Sequence, residues 1–239
     1  MKIAIISDIH GNAIALEAVL RDIGTRKTDL ILCGGDLAGY GAYPNEVIDL
    51  IRKNHIPTVM GNYDDGVAYH RIECGCNYKD EKSAELGHRS IVWMKEHITP
   101  ENKNFLRGLL KRIEFTVYDK KVLLVHGSPR MINEYLFEDH PEESIMGIID
   151  GEKVDILICG HTHLPYIRNF NGKYVINAGS VGKPKDGDVR AGYVLLDLTE
   201  NQVETEIIRV AYDVETMARA IEATDLPHEF ADALRTAKD

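Results

Sequence analysis

The short apolar runs between Met1 and Met60 each lead into a residue able to hold a metal ion, and this pairing constrains the fold more than any other feature. Ile3-Ala4-Ile5-Ile6 runs into Ser7-Asp8, Leu30-Ile31-Leu32-Cys33 into Gly34-Gly35-Asp36, and Pro57 to Met60 into Gly61-Asn62. Two helical patterns lie between them. Asn12 to Ile23 carries apolar residues at Ile14, Leu16, Val19, Leu20 and Ile23, closed by Gly24, and Asn45 to Lys53 repeats the pattern. A β-α-β-α-β order predicts a parallel sheet with crossover helices, in which ligands gather beyond the carboxyl ends of the strands.

Between Asp65 and Arg112 the texture becomes polar and helical, and Thr99-Pro100-Glu101 reads as an N-cap with proline at the first helical position. This stretch, about residues 65–112, is expected to be a helical cap inserted over the mouth of the sheet. Strand signals then dominate: Glu114 to Tyr118, Val122 to Val125, Ile156 to Cys159, Tyr174 to Ile176, Gly192 to Leu198 and Val203 to Arg209. Asp119-Lys120-Lys121 and Asn171-Gly172 read as hairpin turns, the second with the stronger signature. The tail, about residues 214–237, reads as two short helices split at Leu226-Pro227. No repeat or linker interrupts the chain, so one domain over residues 1–239 is expected.

Composition narrows the function. Hydrophobic residues make up 44% and charged residues 28%, as in ordinary folded proteins. The formal net charge of -10 argues against stable binding to nucleic acid or to an anionic membrane, since both need Lys and Arg. It leaves a nucleotide substrate open, because metal ions in a cleft reverse the local sign. Only Ile3 to Ile6 is apolar before Ser7, too short for a signal core or a membrane span, and a cytoplasmic setting is expected. Cys33 and Cys159 end apolar runs and read as buried thiols. Cys74-Gly75-Cys76 reads as a redox pair, half of a zinc site, or a pair without either role.

Five clusters carry the chemistry: Asp8-Ile9-His10, Gly34-Gly35-Asp36, Gly61-Asn62-Tyr63-Asp64, His126-Gly127 and Gly160-His161-Thr162-His163. In extended backbone, residues two apart face the same way, so Asp8 with His10, and His161 with His163, are expected to present paired ligands to one cleft. Carboxylate, imidazole and amide oxygen together suit Mn, Fe or Zn better than an all-oxygen calcium cage. One carboxylate can bridge two ions about 3.5–4 Å apart, as in two-metal hydrolases. A hydroxide between such ions serves as nucleophile, and the site keeps a net positive charge to meet a phosphate.

The order D-x-H, G-D, G-N-x-D, H-G-S-P, G-H-T-H resembles that of the calcineurin-like metallophosphoesterases, in particular their small bacterial and archaeal phosphodiesterase-like branch. Gly39-Tyr40-Gly41, Trp93, Thr99 to Asn102, Asn133-Glu134-Tyr135 and Asn177 to Gly182 extend the resemblance over most of the chain. It implies an α/β fold, a four-layer α/β/β/α sandwich with the metals where the sheets meet. It implies one ion on Asp8, His10, Asp36 and His163, and the other on Asp36, Asn62, His126 and His161, with Asp36 as the bridge. The catalytic set it implies is Asp36, Asn62, Asp64 and His126.

One departure stands out. Many relatives place a histidine between the Asn and Asp of G-N-x-D, resembling a proton donor, and here the residue is Tyr63, a poorly matched acid at neutral pH or simply a cleft wall. The substrate then has a good leaving group, or another residue such as His70, His88 or Arg130 supplies the proton. Asn12 is a candidate phosphate contact or a helix N-cap; Arg130, Lys183 and Arg190 are candidate phosphate contacts; Trp93 is a core residue or a base-stacking platform. The expected activity is hydrolysis of a phosphodiester or nucleotide-like substrate with two divalent ions, manganese favoured. The alternatives are a phosphomonoesterase, including a protein or dinucleoside-polyphosphate phosphatase, and a metal-binding interaction module without turnover.

Overall fold

The computed structural model describes residues 1–238. Strand β1 (Lys2–Ile6), helix α1 (Ala13–Gly24), strand β2 (Leu30–Cys33) and helix α2 (Pro44–Lys53) come first, followed by α3 (Asn62–Ala68), α4 (Glu81–His97) and α5 (Pro100–Arg107). Then follow β3 (Ile113–Val117), β4 (Lys120–Leu124), α6 (Glu142–Glu152), β5 (Ile156–Cys159), β6 (Tyr166–Phe170) and β7 (Lys173–Asn177). The chain closes with β8 (Ala191–Leu198), β9 (Val203–Val210), α7 (Val214–Glu222) and α8 (Glu229–Thr236).

Two sheets form, with strand orders β2-β1-β8-β9 and β3-β4-β5-β7-β6. Within them β1 and β2 run parallel, as do β4, β5 and β7. Strands β1, β5 and β8 are apolar on both faces because both faces are covered. Ile3, Ile5, Val194 and Leu196 meet Leu124, Ile156 and Ile158 in the core between the sheets. Their sequence neighbours Ala4 and Ile6 face outward onto α1 and α2 through Leu16, Val19, Val47 and Ile51. On the far side Leu123, Leu157 and Val175 pack on Ile145, Ile148 and Ile149 of α6. Period-2 alternation between two apolar environments thus produces the four layers α/β/β/α.

Several boundaries differ from expectation. Pro57 to Met60 is not a third strand; it makes only isolated bridges, Cys33 with Thr58 and Val59 with Leu110, since Pro57 has no N–H to give. The first hairpin turns at Tyr118-Asp119, with Tyr118 at φ 53°, so β4 begins at Lys120. Strand β6 pairs antiparallel with β7 across Asn171-Gly172; its sequence Tyr-Ile-Arg-Asn-Phe carries too few consecutive apolar residues to announce itself. Helix α6 interrupts what reads as a strand-rich half, with acidic Glu142 and Glu143 in its first turn. Helices α7 and α8 flank Leu226-Pro227. No helix among the described residues is long and apolar enough to cross a membrane.

Candidate metal centre

The loops beyond the carboxyl ends of the parallel strands converge. Asp8 and His10 follow β1, Asp36 follows β2, Asn62 opens α3, His126 follows β4, and His161 and His163 follow β5. All seven side chains are buried. They assemble as two groups, Asp8 with His10 and His163, and Asp36 with His126 and His161, the ligand atoms of each group lying within 4.8 Å of one another. In the first, His163 Nε2 is 3.4 Å and His10 Nε2 3.7 Å from Asp8 Oδ1. Asp36 Oδ2 lies 3.4 Å from His126 Nε2 and 3.7 Å from His10 Nε2, so this one oxygen touches both groups. Asn62 Oδ1 is 2.9 Å from His126 Nε2.

The pairs do not converge through strand alternation. Asp8, His10, Asp36, His161 and His163 sit at φ 53°, 50°, 55°, 65° and 62°, in the left-handed region. Non-glycine residues enter that region rarely, and each turn here aims its side chain at the seam between the sheets. The turns are held by backbone bonds to neighbouring loops, such as His10 N to Asp36 O at 2.9 Å and Gly182 N to Asp8 O at 3.0 Å. Gly61 is required by close approach: a Cβ there would overlap Asp36 Oδ1.

Three of the four histidines are oriented from behind. Nδ1 of His10, His126 and His163 faces a backbone carbonyl, Ala38 at 2.9 Å, Gly34 at 2.7 Å and Lys183 at 2.6 Å. A carbonyl only accepts, so Nδ1 carries the hydrogen and, when the ring is neutral, Nε2 turns a lone pair inward, the usual support of a metal-ligating imidazole; His126, held charged in the metal-free chain, would give up its Nε2 proton on binding an ion. Two such Nε2 atoms, on His10 and His163, are 3.1 Å apart. Asp8 Oδ2 accepts bonds from Ser7 Oγ at 2.5 Å and His161 N at 3.0 Å, whereas Asp8 Oδ1 and His161 Nε2 are buried with no hydrogen-bond partner. Converging lone pairs and orphaned buried acceptors fit divalent cations.

The charges are coupled. Burial opposes ionisation of Asp8, yet the facing His163, with His10 and His126, holds its carboxyl well below the ordinary range. Burial also works against a charged His126, but Asp36 and Asp8 raise it to about 10 in the metal-free chain. Burial and the neighbouring His126 push His161 down to about 4, leaving it a neutral donor atom.

Asp64 faces backbone. Its Oδ1 accepts from Leu37 N at 2.9 Å and Ala38 N at 3.1 Å, and its Oδ2 from Gly61 N at 3.1 Å. Burial and the Asp36 charge raise its carboxyl to about 6. Tyr63 is buried, donates its N–H to Asp36 Oδ1 at 2.9 Å and has no hydrogen bond at its hydroxyl. Burial, with Tyr40 beside it, pushes the Tyr63 phenol well above 10.

A cleft of about 210 Å³ opens over both groups, and Tyr63, Tyr40, Tyr135 and Lys183 line it. Tyr135 lies over the His161 ring, centroids 4.0 Å apart. Asn12 does not line this cleft; it caps α1, accepting from Ala15 N at 3.0 Å and donating to Gly182 O at 3.0 Å. Nor does Arg130, which pairs with Glu134 on the surface, or Arg190, which pairs with Asp188. His70 and His88 are exposed and do not line the cleft. Trp93 is buried and stacks on His97 with centroids 3.8 Å apart, as a core residue. Tyr40, Tyr135, Lys185 and Phe230 were not singled out by sequence as cleft residues, though Tyr40 and Tyr135 lie in two of the shared motifs.

Comparison with known proteins agrees with this architecture. The family model described as the calcineurin-like phosphoesterase superfamily domain matches residues 1–201. An uncharacterized protein of Methanocaldococcus jannaschii is 37% identical over 97% of this chain and 96% of its own. The phosphodiesterase YfcE of Escherichia coli is 25% identical over 82% of this chain and 88% of its own. The crystal structure of a metallophosphoesterase from Sphaerobacter thermophilus superposes with a TM-score of 0.77 at 29% identity, covering 99% of both chains. With its motifs in order and its whole length shared with such relatives, the chain belongs to the calcineurin-like phosphoesterase superfamily.

Proposed function

We propose that this protein hydrolyses a small phosphate ester, with phosphodiesters or nucleotide-like compounds favoured, at a centre of two divalent ions. The observation that carries the proposal is the pair of buried groups sharing Asp36 Oδ2, each with a polar atom that has no protein partner. Asp8, His10, Asp36 and His163 would hold one ion, and Asp36, Asn62, His126 and His161 the other. The mixed carboxylate, imidazole and amide set suits Mn, Fe or Zn, and manganese is the ion proposed. When bound, the ions supply positive charge for the phosphoryl oxygens and activation of water near neutral pH.

The chain's own part is positioning and exclusion. Backbone carbonyls behind His10, His126 and His163 fix the ring orientations, and Asp64 ties the Leu37-Ala38 loop to Gly61, steadying Asn62 beside it. The helical stretch before β3 acts as a cap, since Tyr78, Ser83 and Leu86 wall the cleft, while Phe230 of α8 closes another side. A cleft of about 210 Å³ suits a small ester better than a phosphoprotein loop. Tyr63 holds its proton too tightly to act as a general acid near neutral pH. Good leaving groups are therefore favoured. The diester preference draws support from YfcE, a relative named a phosphodiesterase. The four cysteines, all free thiols, suit a reducing compartment such as the cytoplasm.

The test is hydrolysis of p-nitrophenyl phosphate and bis-p-nitrophenyl phosphate by chelator-stripped protein reloaded with Mn²⁺. Metal-dependent turnover with the diester faster is the expected result. Faster monoester turnover would make it a monoesterase. Silence on both esters, with two metals bound, would favour a binding module without turnover, the reading that the phenol at position 63 allows.

A further inference from the structure

Cys74, Gly75 and Cys76 lie between α3 and α4, beside Asn62, and ester hydrolysis makes no use of their thiols. Gly75, at φ 74°, turns the chain so that the two thiols meet, with Sγ atoms 2.9 Å apart and one donating to the other. The turn is anchored: Gly75 O accepts from Asn133 Nδ2 at 2.7 Å, on the loop that carries Tyr135. Cys74 Sγ also meets the Tyr78 hydroxyl at 3.1 Å. Cys74 is buried, whereas Cys76 is half-buried and lines the cleft, within reach of a small solute there. Among the described residues neither thiol belongs to a group of His, Cys, Asp and Glu able to hold a metal ion, which sets the zinc reading of this pair aside.

The same turn holds a candidate ligand. Asn62 Nδ2 donates to Cys74 O at 3.1 Å and to Cys76 Sγ at 3.2 Å, which leaves Oδ1 facing the centre, 2.9 Å from His126 Nε2. Both acceptors of this amide therefore sit on the segment whose thiols are in contact. Groups behind a ligand set its orientation and the affinity of the site.

We propose that Cys74 and Cys76 form a reversible disulfide that weakens the ion held by Asn62, an effect that rests on the two-metal reading of the site. The oxidant is a peroxide small enough to enter the cleft. The Cys76 thiolate takes one oxygen of hydrogen peroxide, forming a sulfenic acid and releasing hydroxide. The Cys74 sulfur then displaces the second oxygen as hydroxide and forms the S–S bond. The two thiol protons convert both hydroxides to water, so two thiols are oxidised to one disulfide while one peroxide is reduced to two waters. Closing a ring across a single residue shifts the Cys74 carbonyl and draws Cys76 Sγ toward Cys74, loosening both bonds to the Asn62 amide. Strained or exposed disulfides are the readily reduced, regulatory ones, and a dithiol reopens this one by exchange.

The test treats the chelator-stripped full chain with hydrogen peroxide, removes the excess, and titrates it calorimetrically with Mn²⁺ beside the reduced chain. The peptide from Ile72 to Lys79 is expected to lose the mass of two hydrogen atoms and to regain it with dithiothreitol. The oxidised chain is expected to bind its weaker Mn²⁺ about tenfold less tightly or more, and dithiothreitol to restore the affinity. In Cys76→Ser, whose hydroxyl still accepts from Asn62, peroxide is expected to leave the affinity unchanged. A thermal melt shows that the variant is folded; if it is not, Cys76→Ala takes its place. No link between the thiols, a link with unchanged Mn²⁺ affinity, or the same fall in the folded variant overturns the switch. No ester is hydrolysed in these titrations, so each of those results leaves the phosphoesterase reading standing. Failure of the reduced chain to bind Mn²⁺ removes the metal centre and the switch together.

Discussion

Tyr63 occupies the position at which acid catalysis and packing compete. Its ring lies 4.9 Å from that of Tyr40 and 5.5 Å from that of His10, and its buried hydroxyl makes no hydrogen bond. A histidine at this point would bring a side chain that titrates near neutral pH to within reach of the centre. Tyr63→His is therefore expected to raise turnover on alkyl phosphates by about tenfold or more, while p-nitrophenyl esters, which leave without a proton, change less. Steady-state rates on the two ester classes check this; a uniform fall would assign Tyr63 to packing the cleft wall instead. The identities of Asp8, His10, Asp36, His161 and His163 were legible in the sequence because ligand chemistry is carried by side-chain type. Their left-handed backbone was not, since nothing in a D-x-H or H-T-H string encodes φ near 50–65°. At about 1–3 kcal/mol each, these conformations persist because the surrounding loops hydrogen-bond them in place.

At the level of elements, the site depends on how loops are tied to the strands and helices that carry them. Asp64 is the clearest case: one side chain accepts N–H groups from the loop after β2 and from the residue preceding α3. Removing it leaves buried donors without partners, each costing about 1–3 kcal/mol. Asp64→Ala is expected to destabilise the metal-free chain by about 2–4 kcal/mol in urea denaturation. Asp64→Asn, which keeps one carbonyl acceptor, should recover about half. Equal loss in both variants would show that charge, not hydrogen bonding, is what Asp64 contributes. Elements with a run of consecutive apolar residues, such as β1 and β5, were legible because both of their faces are buried. Strand β6 was hidden because it is an edge strand, half in contact with solvent and held by its hairpin to β7. Helix α6 was hidden because its apolar face, Ile145, Ile148 and Ile149, lies on the second sheet and leaves only a weak contrast along the sequence.

In the whole molecule the two candidate ligand groups lie on the seam between the sheets. Asp8 and His10 come from the first sheet and His163 from the second; Asp36 comes from the first, His126 and His161 from the second. The core beneath them is aliphatic, Ile3, Ile5 and Leu196 against Leu124, Ile156 and Ile158. Such packing drives association strongly but has little directional preference. Coordination is directional, so ions bound at the seam would fix how the sheets sit on one another as well as supply chemistry. Because those ligands are assembled only in the folded chain, metal binding must appear as stability. A free metal concentration about a hundredfold above Kd adds about 2.7 kcal/mol per site. For a chain of this length that corresponds to a rise in Tm of ~5–10 °C per site. Chelation is therefore expected to lower Tm by at least that amount, and excess Mn²⁺ to restore it. Asp36→Asn, which weakens the one carboxylate shared by both groups, should lose most of the metal-dependent rise along with the activity. Scanning calorimetry with and without chelator makes the comparison. A shift of the same size in Asp36→Asn would place the stabilising ions elsewhere on the molecule, whereas its loss in that variant ties stability and chemistry to the same seam.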